Sequence, residues 1–173
     1  LRRAVVSAAN RWLATLLALL LCLALLGAAL VWRAHGDRRD AQVREERYGA
    51  VLAAANAEVT AFVNLRYDRA ARTVGAVAAG ATGGFRTHYA TSAAHVIRVL
   101  RRNQSSMSGH VVWSGVVDID AHHATVIAAT SGTVSNTRSQ GRPVDRHFRL
   151  RLSLVDEDGR WLTSNLQFVG GTP

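Results

Sequence analysis

Asp118, Asp120 and His122 occupy alternate positions. On an extended strand that spacing puts three ligating side chains on one face, within reach of a common metal ion. The same residues also fall between two β-like runs, where Asp and His are well solvated in a turn, and we read them as the turn. His122 and His123 are neighbours, so on a strand they would point to opposite sides and could not ligate jointly. No His-Glu-x-x-His, Gly-x-Ser-x-Gly or P-loop pattern is present. Cys22 is the only cysteine, which excludes an intrachain disulfide and a Cys-based metal site.

Acid–base chemistry would need a carboxylate or phenol projecting into an apolar pocket that shifts its pKa. The candidates are Asp68 and Tyr89, but Asp68 is explained as a helix N-cap and Tyr89 by packing on a helix stripe. Thr82-Gly83-Gly84 could cradle an anion; a helix–helix connection that needs a positive φ explains the glycines without a ligand. Phe85, Trp113, Trp161 and Phe168 are read as core aromatics. The expectation is a chain with no catalytic residue, no metal and no cofactor.

The elements that would position these residues begin with an apolar block. From Trp12 to Val31 there is no charged side chain, and a helix of roughly twenty residues at ~1.5 Å per residue matches a ~30 Å hydrocarbon layer. Its leucines, Leu16, Leu20 and Leu23 among them, favour insertion, and Trp12 and Trp32 suit the two headgroup levels. A cleaved signal peptide is the alternative, with Arg2, Arg3 and Arg11 as its basic region, but the run exceeds the ~7–15 apolar residues of such a segment. Arg33, Arg38 and Arg39 follow the block as closely as those three precede it, so charge alone leaves orientation nearly tied. A minimal N-terminal tail is expected to stay inside.

All 21 basic residues are Arg, and the net charge is +9. The arginines are scattered among acidic and polar residues, with no nucleic-acid-binding motif, so nucleic acid is not an expected partner. Residues 1–11 read as a short cytoplasmic tail, 12–32 as a transmembrane helix, 33–47 as a charged juxtamembrane stalk and 48–170 as an extracytoplasmic α+β domain. Within that domain Tyr48, Val51, Leu52, Ala55, Val59, Phe62 and Val63 recur at three- and four-residue steps, predicting a helix. A second helix is predicted over about 68–79, capped by Asp68 and stopped by Gly80. A third, over about 85–102, carries Phe85, Tyr89, Ala93, Val96, Ile97 and Leu100 as its buried stripe. The period then changes to two: Val111, Trp113 and Val117, then 125–134, then Phe148 to Leu154, then Trp161 to Val169 after a hairpin turn at Asp156-Glu157-Asp158-Gly159.

Three helices followed by four antiparallel strands argue an α+β fold with the helices on one face of a curved sheet, the cone of the nuclear-transport-factor-two and ketosteroid-isomerase class. The charged stalk, the Val59-Thr60-Ala61-Phe62-Val63 helix leading into Tyr67-Asp68, and Thr82-Gly83-Gly84-Phe85 with Tyr89 in the next helix resemble the mammalian-cell-entry (Mce) associated membrane proteins of actinobacteria. So do the closing strands that contain Val111 to Val117 and Ala124 to Val126. The resemblance implies a noncatalytic accessory or scaffold subunit of an Mce lipid transport complex. Its partners would be the permease, the periplasmic Mce proteins and membrane lipids, at the inner (plasma) membrane. The similar tethered cone of type IV secretion scaffold subunits also implies assembly. A tethered envelope lipid-binding module, or an enzyme with a ketosteroid-isomerase-like pocket, is the alternative. The orientation is checked by Asn136→Cys in a Cys22→Ser background: a membrane-impermeant maleimide should label intact cells, and labelling confined to broken cells would reverse the assignment.

Overall fold

A computed structural model describes the backbone of residues 2–170, and the side chains of that range apart from 2–11, 13–15, 18, 22, 28–31 and 33–41. The chain divides into two units, Leu1–Glu46 and Arg47–Pro173, each described here by itself.

The first unit is helical throughout its described length, as part of a single helix α1 that runs from Arg2 to Phe62. The charged stalk expected at 33–47 lies within this helix. Its Arg, Ala, Gln and Glu residues are good helix formers, which outweighs the roughly 1 kcal/mol cost of Gly36. Among the described residues no helix is long and apolar enough to cross a membrane. The expected anchor falls partly outside them, as do the side chains of Arg2, Arg3, Arg11, Cys22, Arg33, Arg38 and Arg39. Trp12, Leu16, Leu20, Leu23 and Trp32 are described, and each is more than half exposed.

In the second unit α1 ends at Phe62 and a 3-10 turn follows at Tyr67–Arg69. Next come α2 (Ala70–Ala79), α3 (Gly83–Arg102) and four strands: β1 (Ser106–Ile119), β2 (His123–Ser135), β3 (Val144–Glu157) and β4 (Arg160–Phe168). The strands pair in chain order, each antiparallel to the next. The β3–β4 hairpin closes through Asp158 and Gly159, with φ of 54° and 80°, the pair of positive values that a two-residue turn matched to strand twist requires.

Period-two alternation puts Ala124, Val126, Ala128 and Thr130 of β2, and Leu150, Leu152 and Leu154 of β3, on one buried face. Val51, Ala55 and Val59 of α1, and Val63 just past its end, belong to the same core cluster, recurring every four residues. Gly109 and Gly132 face each other across β1 and β2, and Gly109 leaves room for Val63 just past the helix end. A Cβ on Gly109 would stand 3.1 Å from Val63, and one on Gly132 would collide with the Ser108 carbonyl. The stripe predicted on α3 is present, with Phe85, Tyr89, Ala93, Val96, Ile97 and Leu100 all half-buried.

Two expectations are corrected. Trp113 is 58% exposed and Phe168 56% exposed, so neither is a core residue, and Phe85 and Trp161 are only half-buried. For Trp113 the reason is a β-bulge between Val111 and Trp113: the extra residue breaks the period and turns the indole to the opposite face from Val111. Asp68 is not the cap of α2, whose N-cap is Arg69 without a side-chain hydrogen bond. Asp68 instead accepts from Arg66 Nε at 2.9 Å and Nη2 at 2.8 Å, which lowers its carboxyl to about 2.

Leu152→Ala should lower the unfolding free energy by about 2–5 kcal/mol, the range for a fully buried leucine. Urea denaturation in mild detergent measures it, and a loss below about 1 kcal/mol would contradict this assignment of the core.

Candidate functional site

The metal reading of Asp118, Asp120 and His122 does not survive the geometry. The Asp120 carboxylate accepts the backbone N–H groups of His122 and His123, both at 2.7 Å, so it closes the β1–β2 turn. Those two hydrogen bonds hold its pKa below the usual carboxylate range. Among the described residues no group of three His, Cys, Asp or Glu side chains could hold a metal.

A different group of polar side chains gathers inside the domain. Glu58 lies on the buried stripe of α1, three residues after Ala55 and one before Val59, and is 3% exposed. Its Oε1 has no hydrogen-bond partner among the described residues. Burial alone pushes its carboxyl up to about 7. Oε2 occupies the space beside Gly80, where any Cβ would overlap it. Gly80 ends α2 with φ −90°. The glycine is therefore needed for room, not for an unusual backbone angle.

The α2–α3 junction is tied to β4 by a short parallel bridge between Ala81 and Thr163. Thr163 N–H donates to the Gly80 carbonyl and Thr82 N–H to the Thr163 carbonyl, both at 2.8 Å. The Thr82 hydroxyl donates to Glu157 at the end of β3. Gly83 has φ +55°, so the expectation of a positive φ in the Thr82-Gly83-Gly84 connection holds there, while Gly84 is helical. With Thr82 engaged by Glu157, this segment works as a clamp between α3 and the β3–β4 hairpin. Phe85 and Tyr89 stack one turn apart, ring centroids 5.9 Å apart. The Tyr89 hydroxyl is buried without a hydrogen-bond partner among the described residues, and its pKa is pushed up to about 12 by desolvation and then by the charge of Glu58.

Of the motif residues, Thr82, Gly83, Phe85 and Tyr89 thus sit together beside β4. Tyr67 and Asp68 lie in the exposed 3-10 turn next to the Arg66–Ser106 bridge. Glu58 and Gly80 were missed as a pair. The available signal was an acidic residue in register with an apolar helix stripe, which costs several kcal/mol if ionised and unpaired.

The arrangement can hold and release one proton near neutral pH. The crevice lined by Val63, Met107, Gly109, Thr130, Gly132 and Phe148 is too narrow to admit a water molecule. The folded state keeps Glu58 protonated up to about pH 7, whereas the unfolded chain loses that proton near its ordinary value of 4.5. The contribution of Glu58 to stability should therefore be fully present below about pH 4.5, fall as pH rises towards 7 and level off above it, by on the order of 3 kcal/mol in all. Glu58→Gln should flatten that slope and unfold at higher urea than the parent at pH 8; an unchanged slope would show that Glu58 is not the group responsible.

Comparison with known proteins follows the same fold. A family model described as "Uncharacterized protein Rv1363c/MT1408-like" matches residues 7–170. The protein Rv1363c of Mycobacterium tuberculosis (strain ATCC 25618 / H37Rv) is 27% identical over 144 residues, covering 83% of this chain and 53% of the relative. The chain therefore spans about half the length of that curated relative. Among solved structures, the periplasmic domain of DotI is similar with a TM-score of 0.57 at 11% identity, covering 71% of this chain and 95% of its own. An IcmL-like type IV secretion system protein of Legionella pneumophila gives 0.54 at 14% identity, covering 70% and 91%. A ketosteroid isomerase-like protein of Erwinia carotovora atroseptica gives 0.53 at 25% identity, covering 70% and 93%. These similarities agree with the four-stranded α+β cone, and the match across nearly the whole sequence means that the chain belongs to the Rv1363c/MT1408-like family.

Proposed function

We propose that this protein is a noncatalytic, membrane-anchored accessory subunit of an Mce-type lipid transport complex, tethered through Trp12–Trp32 with its α+β domain on the extracytoplasmic side. The observation that carries the tether is the series Leu16, Leu17, Leu19, Leu20, Leu21, Leu23, Leu25 and Leu26, each more than half exposed on α1. Placed at the centre of a bilayer, eight leucines favour insertion by about 4 kcal/mol, whereas in water they form an apolar patch of the kind that marks an interaction surface. Trp12 and Trp32 stand at the two ends of that series, as interfacial residues do.

The accessory role is supported by the domain's interior, filled by Leu150, Leu152, Leu154 and the valines of α1, and by the fold it shares with domains described as periplasmic or as type IV secretion proteins. The Mce assignment rests on the resemblance carried by the motif residues Tyr67, Asp68, Thr82, Gly83, Phe85 and Tyr89. A second reading, a tethered lipid-binding module or a ketosteroid-isomerase-like enzyme, is favoured by one observation: a near-neutral Glu58 whose charge reaches Tyr89.

The test is a pull-down of the full chain through a C-terminal tag from carbonate-washed membranes in mild detergent. Retention in the washed membranes together with recovery of permease and periplasmic Mce subunits is the expected result. Release by carbonate, or recovery without any transporter subunit, would overturn it. Native mass spectrometry of the same preparation showing one stoichiometric lipid in the domain would favour the second reading.

A further inference from the structure

The sheet has a face that no helix of the domain covers. Register assigns its residues: in one row Trp113 pairs with Ala129 and Ala129 with Arg149, and in the next Gly115 pairs with Ile127, Ile127 with Arg151 and Arg151 with Gln167. Paired residues of an antiparallel sheet share a face. Their neighbours along β2 and β3, namely Ala128, Thr130, Leu150 and Leu152, are buried on the core side, so these rows lie on the opposite, outer side.

Three features of β1 equip this face. A bulge at Val112 and another at Val117 insert two valines that are 62% and 58% exposed, and bulges characteristically redirect side chains in this way. The Trp113 indole lies against Gly115, where a Cβ would come within 2.8 Å of the ring, so the glycine leaves room for the aromatic surface on this face. Asp118 follows in the next outer row, opposite Thr125. On the far side of the small residues of β2, Arg149 and Arg151 are exposed and have no ion pair among the described residues.

From this pattern we infer that the outer sheet face is the docking surface for a second copy of this chain, packed face to face about a two-fold axis that runs along β2. The axis follows from the rows. Trp113 and Arg149 flank Ala129 at equal distances of about one strand spacing, ~4.8 Å. Rotation about β2 therefore lays Arg149 of each copy over the Trp113 ring of the other, a guanidinium on the negative face of an indole. Arg151 of each copy comes over the Gly115 row, which the indole also covers, within reach of the partner's Asp118. Apolar and acidic groups on β1 thus meet the cations on β3, twice, as an isologous interface requires. Any axis running across the strands would not bring the two edges together. The inference is independent of the transporter reading, because it concerns only the domain's own face.

The experiment uses the full chain in mild detergent with Cys22→Ser as background. Ala129→Cys, Thr125→Cys and Ser131→Cys, all on the outer side of β2, should each give dimers with a short bifunctional maleimide, because every one lies near the axis. Arg138→Cys, in the loop between β2 and β3, should not. Sedimentation equilibrium should show a dimer whose Kd rises at least tenfold in Arg149→Gln and in Trp113→Ala, with circular dichroism melts close to the parent's. Cross-linking at only one of the three β2 positions would overturn the axis. A monomer at all concentrations, cross-linking at Arg138→Cys as fast as at Ala129→Cys, or a dimer that both substitutions leave unchanged would overturn the docking surface itself.

Discussion

The domain depends on one constraint: a helix with a four-residue apolar stripe must seat on a sheet whose inner side chains recur every two residues. Val51, Ala55 and Val59 of α1, with Val63 just past its end, share a core with Ala124, Val126 and Ala128 of β2 and Leu150, Leu152 and Leu154 of β3. The pairing is of small on large, with the helix supplying Val and Ala and the central strand β3 supplying Leu. Where the helix ends, Gly109 leaves room for Val63, and Gly132 leaves room for the neighbouring β1 backbone at Ser108. With Cys22 the only cysteine, no disulfide contributes, and apolar burial and close packing carry the fold.

Against that background Glu58 is the exception that organises the other side of the domain. A carboxyl placed in the apolar stripe is desolvated, so it holds its proton to about pH 7 and opposes ionisation of Tyr89. It also requires Gly80 as the last residue of the α2 turn, and Gly80 in turn begins the bridge to Thr163 that locks the α2–α3 junction to β4. Among the described residues, Glu58 Oε1 and the Tyr89 hydroxyl are left without hydrogen-bond partners. A buried and unsatisfied cluster of this kind is a source of strain and pH sensitivity.

The two faces of the sheet show how much a single inserted residue matters. With strict alternation, Val111, Trp113 and Val117 would share one side, and all three would be read as core. The bulges at Val112 and Val117 divide them, leaving Val111 against the core and moving Trp113 and Val117 to the open face. A bulge leaves little trace in composition, because the inserted residue is another valine. Position 68 was misread for a comparable reason: Asp beside a helix start suits an N-cap, but a bidentate partner two residues away, Arg66, competes for the same carboxylate and forms the stronger, charge-assisted bonds.

The sequence by itself determined the element order, the three helices and four strands of an α+β domain, the β3–β4 turn, the stripe of α3 and the use of Asp120 in a turn. Each of these is set by local periodicity or by hydrogen bonds between near neighbours, and such short-range rules are written along the chain. Tertiary structure alone decided that Glu58 faces Gly80, that Thr82 serves Glu157 and that Trp113 shares a row with Arg149 across two strands. These contacts join residues far apart in sequence, and they depend on strand register and bulge position, where a shift of one residue exchanges the buried face for the open one.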